Sequence, residues 1–143
     1  MTIALLAMIG LAVAFATGGC GKKGPPKPPS GNNPPSVRDL AYSVTGKTIK
    51  LSWTIPQTTD KAKSAVVGFL IFQYQQPAHE RECVNCPVIF RQVGDVPARG
   101  QPGVTPLVFT QTIAPGYRYI YKVKTYDSEG LSGKDSNFVQ FLF

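Results

Sequence analysis

From Thr48 to Ile55 the chain alternates residue by residue. Ile49, Leu51, Trp53 and Ile55 share one side, and Lys50, Ser52 and Thr54 share the other. Successive side chains of a strand point to opposite faces, so this pattern buries one face and wets the other. Tyr117 to Tyr126 alternates in the same way, with Tyr119, Tyr121, Val123 and Thr125 facing one way and Ile120, Lys122 and Lys124 the other. Val66 to Tyr74 is rich in β-branched and aromatic residues and reads as a third strand. Further strands are expected over Val37–Val44, Ile89–Val96, Leu107–Ile113 and Phe138–Phe143. Thr45-Gly46, Ala98 to Pro102, Pro115-Gly116 and Ser128 to Gly130 supply the turns between them. No helical apolar period of useful length is present downstream of the N-terminus. Seven short strands with regular turns predict an all-β fold, an antiparallel seven-stranded β-sandwich.

The N-terminus follows other rules. Ile3 to Ala16 is apolar and uncharged, yet shorter than the roughly 20 apolar residues a spanning helix needs. Small residues, Thr17-Gly18-Gly19, precede Cys20, and Gly21-Lys22-Lys23-Gly24 follows it. This order resembles a bacterial lipoprotein signal peptide, which implies cleavage before Cys20 and acylation of Cys20. Thr17 stands where that family usually has Leu, and Met1-Thr2 lacks the usual basic residue. Residues 21 to 35 are Gly, Lys, Pro, Ser and Asn, a composition that cannot bury a core. Pro25 to Pro29 favours polyproline II, so the segment reads as a tether. The expected organisation is a signal peptide over 1–19, a lipidated Cys20 with a Pro-rich tether over 20–35, and one folded domain over 36–143.

All charge lies after residue 19, so the net charge of +7 belongs to the mature chain. Apart from Lys22, Lys23 and Lys27 the basic residues are scattered, whereas a nucleic-acid footprint clusters on one face; no nucleic acid is expected as a partner. The three lysines beside Cys20 would each add ~1 kcal/mol of attraction to anionic lipid.

With Cys20 lipidated, Cys83 and Cys86 remain as an even pair. Cys83-Val84-Asn85-Cys86-Pro87 admits several chemistries. A thioredoxin-type redox pair needs a helix N-terminus to lower the first thiol's pKa, and no βαβ pattern exists. Haem attachment needs His where Pro87 stands. Metal binding would use His79, Cys83 and Cys86 with Glu80 or Glu82, but structural zinc wants four ligands and usually two cysteine pairs. An exported chain favours a small disulfide between Cys83 and Cys86 and no metal. His79 is the only histidine, and no triad motif, carboxylate pair or Gly-rich phosphate loop accompanies it. No enzyme activity and no cofactor are expected.

Four segments in order carry a second resemblance: Pro35 to Leu40, Ile49-Lys50-Leu51-Ser52-Trp53, Gly68-Phe69-Leu70-Ile71, and Ile113 to Val123. From about Pro35 to Phe143 the chain looks like a fibronectin type III domain. The resemblance implies that Trp53 fills the core and that Ile113-Ala114-Pro115-Gly116-Tyr117-Arg118-Tyr119 forms a tyrosine corner, with the Tyr119 hydroxyl tied to nearby backbone. It also implies that Phe69 and Ile71 point inward and that the third strand neighbours the strand of Lys122. Alternation then turns Leu70, Phe72 and Tyr74 outward beside Lys122 and Lys124, as an apolar patch with a basic edge. Such a patch is either a partner site or a face covered by the cysteine loop or the tether.

The expected function is a lipid-anchored envelope lipoprotein whose sandwich binds or scaffolds another envelope protein. Gly21, rather than Asp, after Cys20 fits delivery to the outer membrane, facing the periplasm. Cys20-Gly21-Lys22-Lys23-Gly24-Pro25 is also similar to the start of the lipopolysaccharide-transport modulator lipoproteins. That resemblance implies an accessory role in outer-membrane assembly exercised through the tether.

Overall fold

The computed structural model describes residues 33–57, 64–80 and 87–143. Eight strands follow one another: β1 (Ala41–Thr45), β2 (Thr48–Thr54), β3 (Gly68–Pro77), β4 (Arg91–Pro97), β5 (Pro106–Thr112), β6 (Tyr117–Tyr126), β7 (Ser132–Asp135) and β8 (Val139–Leu142). One sheet has the order β1-β2-β5. The other runs β4-β3-β6, with both β7 and β8 paired to β6. Every pairing is antiparallel.

The alternation sets the core. Ile49, Leu51 and Trp53 of β2 and Phe69 and Ile71 of β3 are buried, as are Tyr119, Tyr121 and Val123 of β6. The Trp53 ring meets Phe69 edge-on with centroids 5.5 Å apart, joining the two sheets. Each such side chain contributes roughly 1.5–3 kcal/mol by leaving water. Phe141 of β8 stacks on Tyr119 at 5.4 Å and on Tyr42 of β1 at 4.9 Å, which closes one side of the sandwich with aromatic rings.

The tyrosine corner forms. The Tyr119 hydroxyl donates to the Ala114 carbonyl and accepts from the Ala114 N–H, both at 3.0 Å. Gly116 has φ +84°, a left-handed conformation that a side chain would strain.

Two departures from the sequence reading share one cause. The strand expected over Val37–Val44 begins only at Ala41, although Val37 and Leu40 are buried. A strand appears instead at Ser132–Asp135, giving eight rather than seven. Here side chains substitute for backbone partners. The Asn137 amide donates to the Leu40 carbonyl at 2.8 Å and accepts from the Leu40 N–H at 3.0 Å. The Ser136 hydroxyl accepts from the Val123 N–H at 2.9 Å, filling the gap between β7 and β8. Side-chain hydrogen bonds that compete with a ladder are typical of Ser and Asn. Ser, Gly and Asp also have low strand propensity, which hid β7.

Upstream, Asn33 donates to the Ser132 carbonyl at 2.8 Å, and Pro34 and Pro35 are buried. Asn33–Pro35 therefore pack against the sandwich, although their composition matches the tether. Gly133 permits this approach: a Cβ there would lie 2.7 Å from the Pro34 carbonyl oxygen. At the far end of β3, Pro77 pairs with Tyr117.

Candidate binding surface

The outer face of the five-stranded sheet holds the residues the alternation turns outward. Register places Leu70 opposite Lys124, Phe72 opposite Lys122 and Tyr74 opposite Ile120. Leu70, Phe72 and Tyr74 are half-buried rather than exposed. Phe90, just before β4, covers Tyr74, and Phe138, between β7 and β8, meets Phe90 in turn. Phe90 lies 6.2 Å from the Tyr74 ring and 6.0 Å from Phe138.

Lys122 is enclosed by these rings. Its Nζ sits 4.1 Å from the Phe90 centroid, 5.8 Å from Phe72 and 5.9 Å from Phe138. Aromatic faces attract a cation, more strongly where water is excluded. The same Nζ donates to an Asp135 oxygen at 3.0 Å, while Lys124 reaches the other oxygen at 3.3 Å. Burial opposes ionisation of Asp135, but the two lysines outweigh it and hold the carboxyl below its ordinary range.

The expected open basic rim is therefore corrected. Lys122 is a caged, paired cation, and its side chain is 14% exposed. The aromatic surface left to solvent belongs to Phe138, 54% exposed. The sequence reading placed Phe90 and Phe138 at the start of expected strands, Ile89–Val96 and Phe138–Phe143, whereas the structure leaves both just ahead of β4 and β8. The available signal was the outward-facing apolar Leu70, Phe72 and Tyr74, which call for cover.

Across the molecule, the outer face of the three-stranded sheet carries Ser43, Thr45, Thr48, Lys50, Thr110 and Thr112, all exposed. Of the other sequence candidates, Cys20, Cys83, Cys86 and Glu82 lie outside the described residues. His79 and Glu80 are exposed in the turn after β3. Among the described residues, no group of three or more His, Cys, Asp or Glu side chains is placed to hold a metal.

No family profile and no curated protein matches this chain. Solved structures do. The third fibronectin III domain of the human KIAA0343 protein superposes with a TM-score of 0.51 at 16% identity, over 85% of this chain and 92% of that one. The twitchin kinase region from C. elegans (Fn31-NL-kin-CRD-Ig26) gives a TM-score of 0.54 at 13% identity, over 78% of this chain. This chain spans 17% of that structure's length. At these identities the likeness defines the fold alone: an antiparallel fibronectin type III-like sandwich.

Proposed function

We propose that the chain is a bacterial envelope lipoprotein, anchored through lipid on Cys20 and displaying its sandwich as a protein-binding module. The observation that carries the binding reading is the exposed aromatic surface of Phe138, which packs on Phe90 beside the paired Lys122 and Asp135. Exposed aromatic anchors beside paired charge are the usual centre of a binding surface. The anchor rests on the run before Cys20 and on its small and basic flanks.

Two measurements test this reading. Intact mass of the membrane fraction should show a mature chain beginning at an acylated Cys20; a soluble mature form or another start defeats the anchor. A photo-crosslinking residue at position 138 of the full chain should give discrete adducts in the native envelope, and one at position 110 should not. The adducts should survive deletion of residues 21–32 with the lipid retained. Their loss on that deletion would instead favour an assembly factor working through Gly21-Lys22-Lys23-Gly24-Pro25.

A further inference from the structure

A second candidate site lies on the five-stranded sheet, where Arg91 of β4 meets Gln73 of β3. Gln73 points into the core of β3 and is only 3% exposed. Its amide donates to the Tyr121 hydroxyl at 2.7 Å, and that hydroxyl donates onward to Gln111 of β5 at 3.1 Å. The free side of Gln73, its Oε1, accepts from the Arg91 guanidinium at 3.3 Å. Polar groups this deep are costly unless satisfied, and here each is satisfied by the next.

A β-bulge aims Arg91 at this chain of groups. Along β4 the pairing passes from Gly94 opposite Ile71 to Gln92 opposite Phe72, leaving Val93 without a partner. Arg91 therefore stands opposite the inward-facing Gln73. An unbroken ladder would have set it opposite Tyr74, on the outer face. Bulges are a recurrent way to re-aim one side chain next to a functional site.

The guanidinium has five donors. One is spent on a neutral carbonyl oxygen, and among the described residues Arg91 has no carboxylate partner. It borders a cleft of about 260 Å³ that is also lined by Tyr117 and by Ile89, the latter 78% exposed. Clefts for whole small ligands usually hold roughly 300–1,000 Å³, so this one suits a single side chain. A planar fork of donors matches a carboxylate in two-pronged geometry. The neighbouring Ile89 suits an apolar residue next to it.

We propose that this cleft is a socket for an acidic side chain, flanked by an apolar residue, of a partner protein. Gln73 would act as a positioning residue that holds Arg91 at the mouth. The assignment deepens the binding-module reading but requires neither the anchor nor the outer aromatic face.

The test uses the full mature chain in detergent, isotopically labelled and followed by NMR, with the blocked dipeptide acetyl-Leu-Glu-amide as probe. Saturable shifts are expected at Arg91 Nε and at the Ile89 amide. Arg91→Gln should weaken binding about tenfold or more, as loss of charge-assisted hydrogen bonds implies, measured well below the variant's own melting temperature so that it is folded throughout. Arg99→Gln, which alters an exposed arginine elsewhere, should leave binding intact. Four results would overturn the socket: no saturable shift, equal binding of acetyl-Leu-Gln-amide, equal loss with Arg99→Gln, or acetate binding as tightly as the dipeptide. The last would leave a bare anion site with no peptide component. Any of them leaves the position 138 crosslinks standing, and failure of those crosslinks leaves this titration standing.

Discussion

The two sheets bury the same kind of side chain inward and differ completely outward. The three-stranded sheet meets solvent with Ser43, Thr45, Thr48, Lys50, Thr110 and Thr112, together with the aliphatic Val108. The five-stranded sheet presents Leu70, Phe72 and Tyr74, which Phe90 and Phe138 partly cover, and pins Lys122 among the rings. An antiparallel sheet needs one buried face only. A hydroxyl-rich outer face is thus complete as it stands, whereas an aromatic one recruits cover. Exposed aromatic area left after that cover is what a partner can use. Charge follows the same division. Lys50 stands exposed in water, while Lys122 has been desolvated and supplied with an acid and a set of rings.

The largest expected effect tests what the sheets share. Trp53→Ala should cost roughly 3–5 kcal/mol, as truncation of a buried aromatic does, and both sheets should melt together in denaturant. A near-neutral result would mean that the Trp53–Phe69 contact does not join them. Next comes the stitch between the five-stranded sheet and the segment before β1. Asn137→Ala removes both hydrogen bonds to Leu40 and should cost about 1–3 kcal/mol. Hydrogen exchange should then rise at Leu40 while the β2–β5 ladder keeps its protection.

Tyr121→Phe should cost about 1–2 kcal/mol at neutral pH, because Gln73 and Gln111 both lose their shared hydroxyl. Its pH dependence is more specific. Burial chiefly, against the Gln73 hydrogen bond, pushes the Tyr121 hydroxyl up to about 12. Folding therefore favours the neutral phenol. That contribution is intact below the ordinary tyrosine value near 10 and is lost as pH rises through about 12. Tyr126 is raised too, mainly by donating to Asp95 at 3.0 Å, so the alkaline loss should shrink in Tyr121→Phe without vanishing. Urea melts at alkaline pH read this directly.

The smaller effects bear on the outer faces. Lys122→Met should cost about 1 kcal/mol through its cation–π and ion-pair contacts. Lys50→Met on the other sheet should stay within about 0.5 kcal/mol, and equal costs would erase the contrast between the faces. Phe138→Ser should change stability by less than about 1 kcal/mol, since Phe138 is 54% exposed. A large loss would make Phe138 a structural lid rather than a contact surface.

Strand identity and face were readable in the chain because alternation is a local property. Ile49, Leu51, Trp53, Phe69, Ile71, Tyr119, Tyr121 and Val123 are all buried where period two puts them. The corner at Pro115-Gly116 and Tyr119 was readable too, since a left-handed glycine and a nearby hydroxyl target lie within a few residues. That β3 lies beside β6 followed from the family resemblance, while the register that sets Phe72 opposite Lys122 came only with the fold.

Everything that depends on distant residues meeting was decided by folding. Nothing around Asn137 announces that its amide will close on Leu40, which lies 97 positions away. Phe90 and Phe138 each fall one residue ahead of a strand, and only the packed sheet brings them over Lys122. Whether Arg91 looks outward or into the cleft turns on one unpaired residue, Val93. A single-residue slip in register sends a side chain to the opposite face, and such a slip is a property of two strands together, which neither strand's own sequence contains.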